Sequence, residues 1–174
     1  DPPFGIGNFI PQSGKEKGKN FAKVDWNDST PTQKYFDELK RVSKNQIIFG
    51  ANYFNSFASG GACIVWDKKQ MNPKMSRCEI ASYSKGKKID YVCIPWAGII
   101  GTQSRLNIHP CEKPVKLYEW MLINYANEGD KILDTHLGSG SIAIACHNLG
   151  FDLTGFEIDQ EFLAVLNHVK CLFY

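Results

Sequence analysis

The chain has 174 residues, of which 43% are hydrophobic and 22% charged, and its net charge is +2. That length fits one domain with a full hydrophobic core, and the fractions exclude a disordered or low-complexity chain. No apolar run is long enough to span a bilayer and no signal peptide opens the sequence, so no membrane partner is expected and the protein is placed in the cytoplasm.

The first feature along the chain is Asp1-Pro2-Pro3-Phe4, a stiff turn. Such a turn should follow a buried strand, and the sequence shows none before it, so a lead-in strand is expected to be missing. Residues 5–20 are rich in Gly, Lys and polar residues and read as a loop. Ser29-Thr30-Pro31 reads as a helix start, with a hydroxyl cap and proline in the first turn. Tyr35, Phe36, Leu39 and Val42 then recur at helical spacing. Residues 46–49, 62–66, 79–83 and 91–95 read as strands. Residues 45–111 hold eight basic and three acidic residues, whereas residues 112–174 hold four basic and nine acidic. A basic middle beside an acidic end suits a polyanionic partner facing the middle.

Pro114 opens a second helix, with Leu117, Tyr118, Met121, Leu122 and Tyr125 as its apolar stripe. A compact β-α-β pattern follows: a strand over 131–134, a tight loop over 137–140, a helix over 141–149 capped by Gly150, and a strand over 153–157. Phe162, Leu163, Val165, Leu166 and Val169 line a last helix. Strands alternating with helices predict an α/β fold, a mostly parallel sheet flanked by helices with right-handed crossovers. The six cysteines form no C-x-x-C pair and several lie inside apolar runs, the pattern of reduced, mostly buried thiols. His109 and Cys111 alternate, but no second ligand pair follows at zinc spacing, and no metal site is expected.

Two stretches carry chemistry. In the first, Gly138-x-Gly140 lies between a strand and a helix, where glycines let the backbone approach a ligand closely. Glu157, seventeen residues past Gly140, follows on the next strand. A carboxylate there can accept hydrogen bonds from both hydroxyls of a ribose. The set points to a nucleoside cofactor without selecting one, and NAD stays open on these residues alone. In the second, Asp1-Pro2-Pro3-Phe4 combines a carboxylate, stiffened carbonyls and an aromatic ring. The amino nitrogen of adenine or cytosine is a poor nucleophile because its lone pair is delocalised into the ring. Two acceptors on its N–H groups localise that pair, and an aromatic ring can stack on a base that has left the duplex. Taken alone, the same four residues are also a common turn with Phe4 buried.

Together these segments resemble the DNA amino-methyltransferases, the N6-adenine and N4-cytosine enzymes. Asp1-Pro2-Pro3-Phe4-Gly5 resembles their D-P-P-[YF] motif. Residues 109–117 resemble their H-P-x-x-K-P-x-x-L segment, and residues 134–141 with 155–157 resemble their cofactor loops. Residues 44–54 and 64–68 are similar to their core strands. The motif order is similar to the circularly permuted β class, and Asp134-Thr135-His136, where many members read D-P-F, resembles small phage-type members.

The resemblance implies a Rossmann-like S-adenosylmethionine-dependent methyltransferase fold: one catalytic domain over 1–174 with a short target-recognition insertion at about 68–108. It implies that Asp1 and the Pro2 carbonyl hold the target amino group, with Pro3 stiffening the turn and Phe4 stacking on the flipped base. S-adenosylmethionine is the implied cofactor. Gly138 and Gly140 would lie against its methionine part, within a loop that includes Asp134 and Ser139. Glu157 would bind its ribose, Ile158 would pack on its adenine, and residues from His109 to Lys113 would close the pocket. Double-stranded DNA is the implied partner, gripped by Lys68, Lys69, Arg77, Lys85 and Arg105. So short an insertion implies a small target site or a homodimer. D-P-P-[YF] points to adenine. N4-cytosine methylation, an RNA methyltransferase, and a truncated DNA-binding relic stay open as alternatives.

Overall fold

A computed structural model of the chain describes residues 1–7, 27–54, 61–73, 75–96, 109 and 111–160. These fall into two compact units, residues 1–95 and 96–174. Arg105, Cys171, most of the expected loop over 5–20 and the expected last helix lie outside the described residues.

The first unit holds α1 (Gln33–Val42), β1 (Ile47–Phe49), β2 (Ala62–Asp67), β3 (Cys78–Tyr83) and β4 (Ile89–Cys93). Its strands form one sheet in the order β1-β3-β2-β4. β3 runs antiparallel to both β1 and β2, while β4 runs parallel to β2. The sheet is therefore mixed, which corrects the mostly parallel sheet expected from the alternation of strands and helices. The reason is connection length: residues 68–77 between β2 and β3 are too few for a helical crossover, so the chain turns straight back. Strand alternation builds the core, with Ala62, Ile64 and Trp66 of β2 all buried on one face. The Trp66 ring meets Phe49 edge-on at 6.5 Å, and its Nε1 donates to the Ile94 carbonyl at 3.0 Å. Trp66 thus buries its ring without leaving its one donor unmet.

α1 begins later than the Ser29-Thr30-Pro31 signal suggests. Thr32 is its N-cap, and no side chain caps it. The helix buries no residue completely, although Phe36 packs against Phe54 at 5.4 Å.

The second unit is the β-α-β pattern with a helix before it: α2 (Val115–Tyr125), β5 (Lys131–Asp134), α3 (Ser141–Leu149) and β6 (Asp152–Gly155). β5 and β6 pair in parallel, Lys131 opposite Asp152 and Asp134 opposite Gly155. Leu122 of α2 and Ala145 and Cys146 of α3 form the buried centre, packed by Ile132 and Leu153 from the two strands. Gly150 ends α3 at φ 75°, a left-handed conformation that costs glycine little. β6 ends at Gly155 rather than Glu157, and Phe156 and Glu157 instead make bonds to the end of β5 and the loop after it.

The cysteines also depart from expectation. Among the described residues only Cys146 is buried, Cys63 is half-buried, and Cys78, Cys93 and Cys111 are exposed. Cys78 and Cys93 sit opposite Asp67 on either side of β2, on the sheet face away from Trp66, so an apolar run did not mean burial on both faces. Among the described residues no helix is long and apolar enough to cross a membrane.

Candidate active site

The first unit holds the Asp1-Pro2-Pro3-Phe4 turn. Pro2 is buried and Asp1, Pro3 and Phe4 are half-buried. The turn is clamped by Asn27, which the sequence reading missed. Asn27 Oδ1 accepts from the Phe4 N–H at 2.9 Å, and its Nδ2 donates to the Gly7 carbonyl at 2.8 Å. Its own carbonyl accepts from the Gly7 N–H at 3.0 Å. Asn27 is 8% exposed, so these bonds are shielded from water. Nothing in the spacing of Phe4 and Asn27 announces a link across 23 residues.

The Phe4 ring stacks on Tyr53 at 4.9 Å, with 15° between the planes, and meets Phe54 edge-on at 6.0 Å. Gly50, the residue after β1, makes room for it. A Cβ at Gly50 would fall 2.3 Å from Phe4 Cε1, and Gly50 has φ 79°. Gly50→Ala is therefore expected to displace the Phe4 ring and to cost about 1–3 kcal/mol from left-handed strain and overpacking. A melting midpoint unchanged from wild type would contradict this.

The expected DNA-contacting residues take different positions. Lys69, Arg77 and Lys85 are exposed. Lys68 is 8% exposed, and its Nζ lies 3.0 Å from Glu79 Oε1 and 5.8 Å from the centroid of the Trp66 ring.

The second unit holds the cofactor loop. Residues 134–138 are tied to residues 156–157 by three bonds. Phe156 N–H donates to the Asp134 carbonyl at 2.9 Å, and Leu137 N–H donates to the Phe156 carbonyl at 2.8 Å. Gly138 N–H donates to Glu157 Oε2 at 2.7 Å. The other Glu157 oxygen accepts from the Asp159 N–H at 2.9 Å. Asp134 Oδ1 accepts from the His136 N–H at 2.9 Å. Gly138 and Gly140 take φ 53° and 73°, and Gly140 is the N-cap of α3. Ser139 and Ser141 are buried and share a hydrogen bond at 2.9 Å. The loop thus brings Asp134, Gly138, Ser139, Gly140 and Glu157 together.

His109 approaches the same loop, and Lys113 is buried near His109. A Cβ on Gly138 would lie 3.5 Å from the His109 ring, in ordinary van der Waals contact, so the ring lies directly against the loop. Burial, reinforced by the Lys113 ammonium and opposed by Asp159, holds His109 down at about 4. Its Nδ1 accepts from the Cys111 N–H at 3.1 Å, which fixes the neutral Nε2–H form. The His109 resonance should titrate with a midpoint near pH 4. The associated stability is fully present above the unfolded value of about 6.5 and falls as pH drops from there toward 4. An NMR midpoint near 6.5 would contradict the buried environment. Burial likewise lowers His136 to about 4, against the opposing pull of Asp134.

The donor set suits an S-adenosyl nucleoside. Glu157 offers a carboxylate, which can accept more than the two bonds it already makes. Phe156 and Ile158 on either side are 59% and 85% exposed, apolar surface of the kind that packs on a purine. The glycines expose backbone where a bulky ligand must approach.

Comparison with known proteins agrees. The DNA methylase model for N6 and N4 methyltransferases matches residues 62–168. The chain is 40% identical over 55 residues to the type II methyltransferase M.HpaI of Haemophilus parainfluenzae, covering 32% of this chain and 18% of that protein. It is 29% identical over 97 residues to the type II methyltransferase M2.DpnII of Streptococcus pneumoniae, covering 56% of this chain and 31% of that protein. The chain thus spans less than half the length of these relatives. Its fold resembles the crystal structure of the M1.HpyAVI–SAM complex, with a TM-score of 0.56 at 20% identity, over 75% of this chain and 78% of that one. That likeness establishes the α/β methyltransferase fold. With more than half of its residues matched by the family model, the chain belongs to the N6/N4 DNA methylase family.

Proposed function

We propose that the protein is a DNA methyltransferase that transfers the methyl group of S-adenosylmethionine to the N6 amino group of adenine in double-stranded DNA. The observation that carries this reading is the Asp1-Pro2-Pro3-Phe4 turn, clamped by Asn27, in a chain of this family. When bound, S-adenosylmethionine supplies an electrophilic methyl group. The protein's own residues prepare the nucleophile. Asp1 and the Pro2 carbonyl accept the two amino hydrogens of the base, which localises the nitrogen lone pair. Phe4, braced by Tyr53, stacks on the flipped base. The amino proton becomes acidic as nitrogen gains the methyl, so Asp1 can take it without being a strong base. Rate enhancement then comes from alignment and from preset acceptors.

On the cofactor side, Glu157 holds the ribose hydroxyls, Ile158 packs on the adenine, and the Gly138–Gly140 loop with Asp134 and Ser139 lies against the methionine part. His109 and Lys113 close that pocket. Lys69, Arg77 and Lys85 grip phosphates; Lys68, paired with Glu79, stiffens the loop that carries Lys69.

A thermal shift series separates this reading from an NAD-dependent protein. A cofactor at a hundred times its Kd stabilises by about 2.7 kcal/mol. S-adenosylmethionine should raise the melting midpoint by several degrees and NAD should leave it unchanged; the reverse pattern would refute the proposal.

A further inference from the structure

The exposed cations of the first unit do not share one edge of its sheet. β1 and β2 are both antiparallel to β3, and β4 is parallel to β2, so β1, β2 and β4 all start at the edge where β3 ends. Lys69 follows the end of β2 and Arg77 precedes β3, both at the other edge. Lys85 follows the end of β3. The six residues of β3 therefore part Arg77 from Lys85 by at least about 20 Å. Phe4 packs on Gly50, which lies past the end of β1 and bonds to the Ile80 carbonyl, so the proposed base site also stands away from the edge that holds Lys85.

That edge carries a row of cations on a fixed backbone. Ser84 N–H donates to the Gln46 carbonyl at 3.0 Å, and Gln46 N–H donates to Ser84 Oγ at 2.8 Å. Gln46 Nε2 donates to the Ser43 carbonyl and hydroxyl at 2.9 and 3.1 Å. These bonds hold the backbones of Lys44 and Lys85 beside each other at neighbouring strand ends. The turn from β3 to β4 then crosses the start of β2, where Cys63 N–H donates to the Lys88 carbonyl at 3.2 Å. Lys44, Lys85, Lys87 and Lys88 are all exposed. From β1 to β4 the row spans three strand spacings, about 14 Å. Lys88 pairs with Asp90 and, at the end of α1, Arg41 pairs with Glu38, each at 2.7 Å. Lys44, Lys85 and Lys87 have no ion pair among the described residues. Like charges set in a row repel one another, and a polyanion relieves that repulsion while releasing its own counterions. One strand of a duplex presents a phosphate every 3.4 Å along the axis, so the row matches about four phosphates.

We propose that Lys44, Lys85 and Lys87 form a second DNA contact, which grips the phosphate backbone outside the stretch that meets Lys69, Arg77 and the target-base turn. The inference rests on the DNA-methyltransferase reading above. Its test uses the full chain with Lys44→Gln, Lys85→Gln and Lys87→Gln combined, beside the matching triple with arginine at all three positions. Binding to a fluorescent random-sequence duplex of about 40 base pairs is read by anisotropy from about 50 to 200 mM NaCl. Each phosphate contact adds about 0.9 to the slope of log affinity against log salt, so the glutamine triple should lose about 2–3 of that slope and bind at least about tenfold more weakly. The arginine triple should keep both slope and affinity. Melting midpoints should hold in both, because the positions are exposed. The contact is overturned if the glutamine triple keeps the wild-type slope, if arginine fails as glutamine does, or if the losses track lowered melting midpoints. Loss of binding to phosphatidylserine vesicles with the DNA slope intact would give the row to a membrane surface and overturn it as well. Wild type that binds the duplex with the steeper slope but transfers no methyl group to genomic DNA would overturn the methyltransferase reading instead.

Discussion

Asp1→Ala should reduce methyl transfer at least about a hundredfold while S-adenosylmethionine affinity stays within about twofold. The reduction follows from what the carboxylate is proposed to do. An amino group conjugated with a purine ring has almost no basicity at nitrogen, and one carbonyl acceptor cannot localise the lone pair alone. Removing a preset polar partner of the reacting atoms typically costs a factor of about a hundred to a thousand. The cofactor affinity should hold because the proposed cofactor groups, Glu157 and the Gly138–Gly140 loop, lie on the other compact unit of the chain. Asp1→Asn keeps one acceptor oxygen of the same shape and should lie between the two. Single-turnover transfer at saturating S-adenosylmethionine reads the effect, and an Asp1→Ala rate within threefold of wild type would remove Asp1 from the chemistry.

Glu157→Ala should show the opposite separation, with S-adenosylmethionine and S-adenosylhomocysteine both bound at least about a hundredfold more weakly. Two effects add. The carboxylate is the proposed partner of both ribose hydroxyls, and hydrogen bonds to a charged group contribute about 1.5–3 kcal/mol each. It also accepts from the Gly138 and Asp159 N–H groups, so its loss frees the loop that the methionine part would touch. Glu157→Gln should also fail, because its NH2 group would face one of those N–H donors. Calorimetric titration with both ligands measures this. Unchanged dissociation constants would mean that Glu157 only braces the loop.

Much of this site could be read from residue order. The strand over 131–134, the helix over 141–149 and the glycine at its end came out as the periodicity indicated. They are local features, set by apolar spacing and by a left-handed cap. Glu157 and Gly138 lie on segments joined by a parallel pair, so the strand-loop-helix-strand pattern already implied their approach. The direction of β3 was less accessible, because alternating strand and helix signals suggest crossovers until the short 68–77 connection is weighed. Contacts that join distant residues were hidden. The Asn27 clamp on Phe4 and the stacking of Tyr53 on Phe4 both depend on tertiary placement of ordinary polar or aromatic residues. Lys68 is the sharpest case. It reads as one more basic side chain in a basic stretch, but the alternation of β2 continues one residue past its end, where the Lys68 N–H still bonds to the Arg77 carbonyl, and carries it inward against Trp66 and Glu79. The exposed Cys78 and Cys93 show the converse, since one face of this sheet leaves them open.

The central claim is amino-group methylation of DNA, and nucleoside analysis tests it most directly. Unmethylated genomic DNA is incubated with the protein and S-adenosylmethionine carrying a tritiated methyl group, then digested to nucleosides and separated. Label in N6-methyldeoxyadenosine, lost with Asp1→Ala, is the predicted result. Label in N4-methyldeoxycytidine would keep the mechanism and move the target to cytosine. DNA that is bound but carries no label would contradict the account.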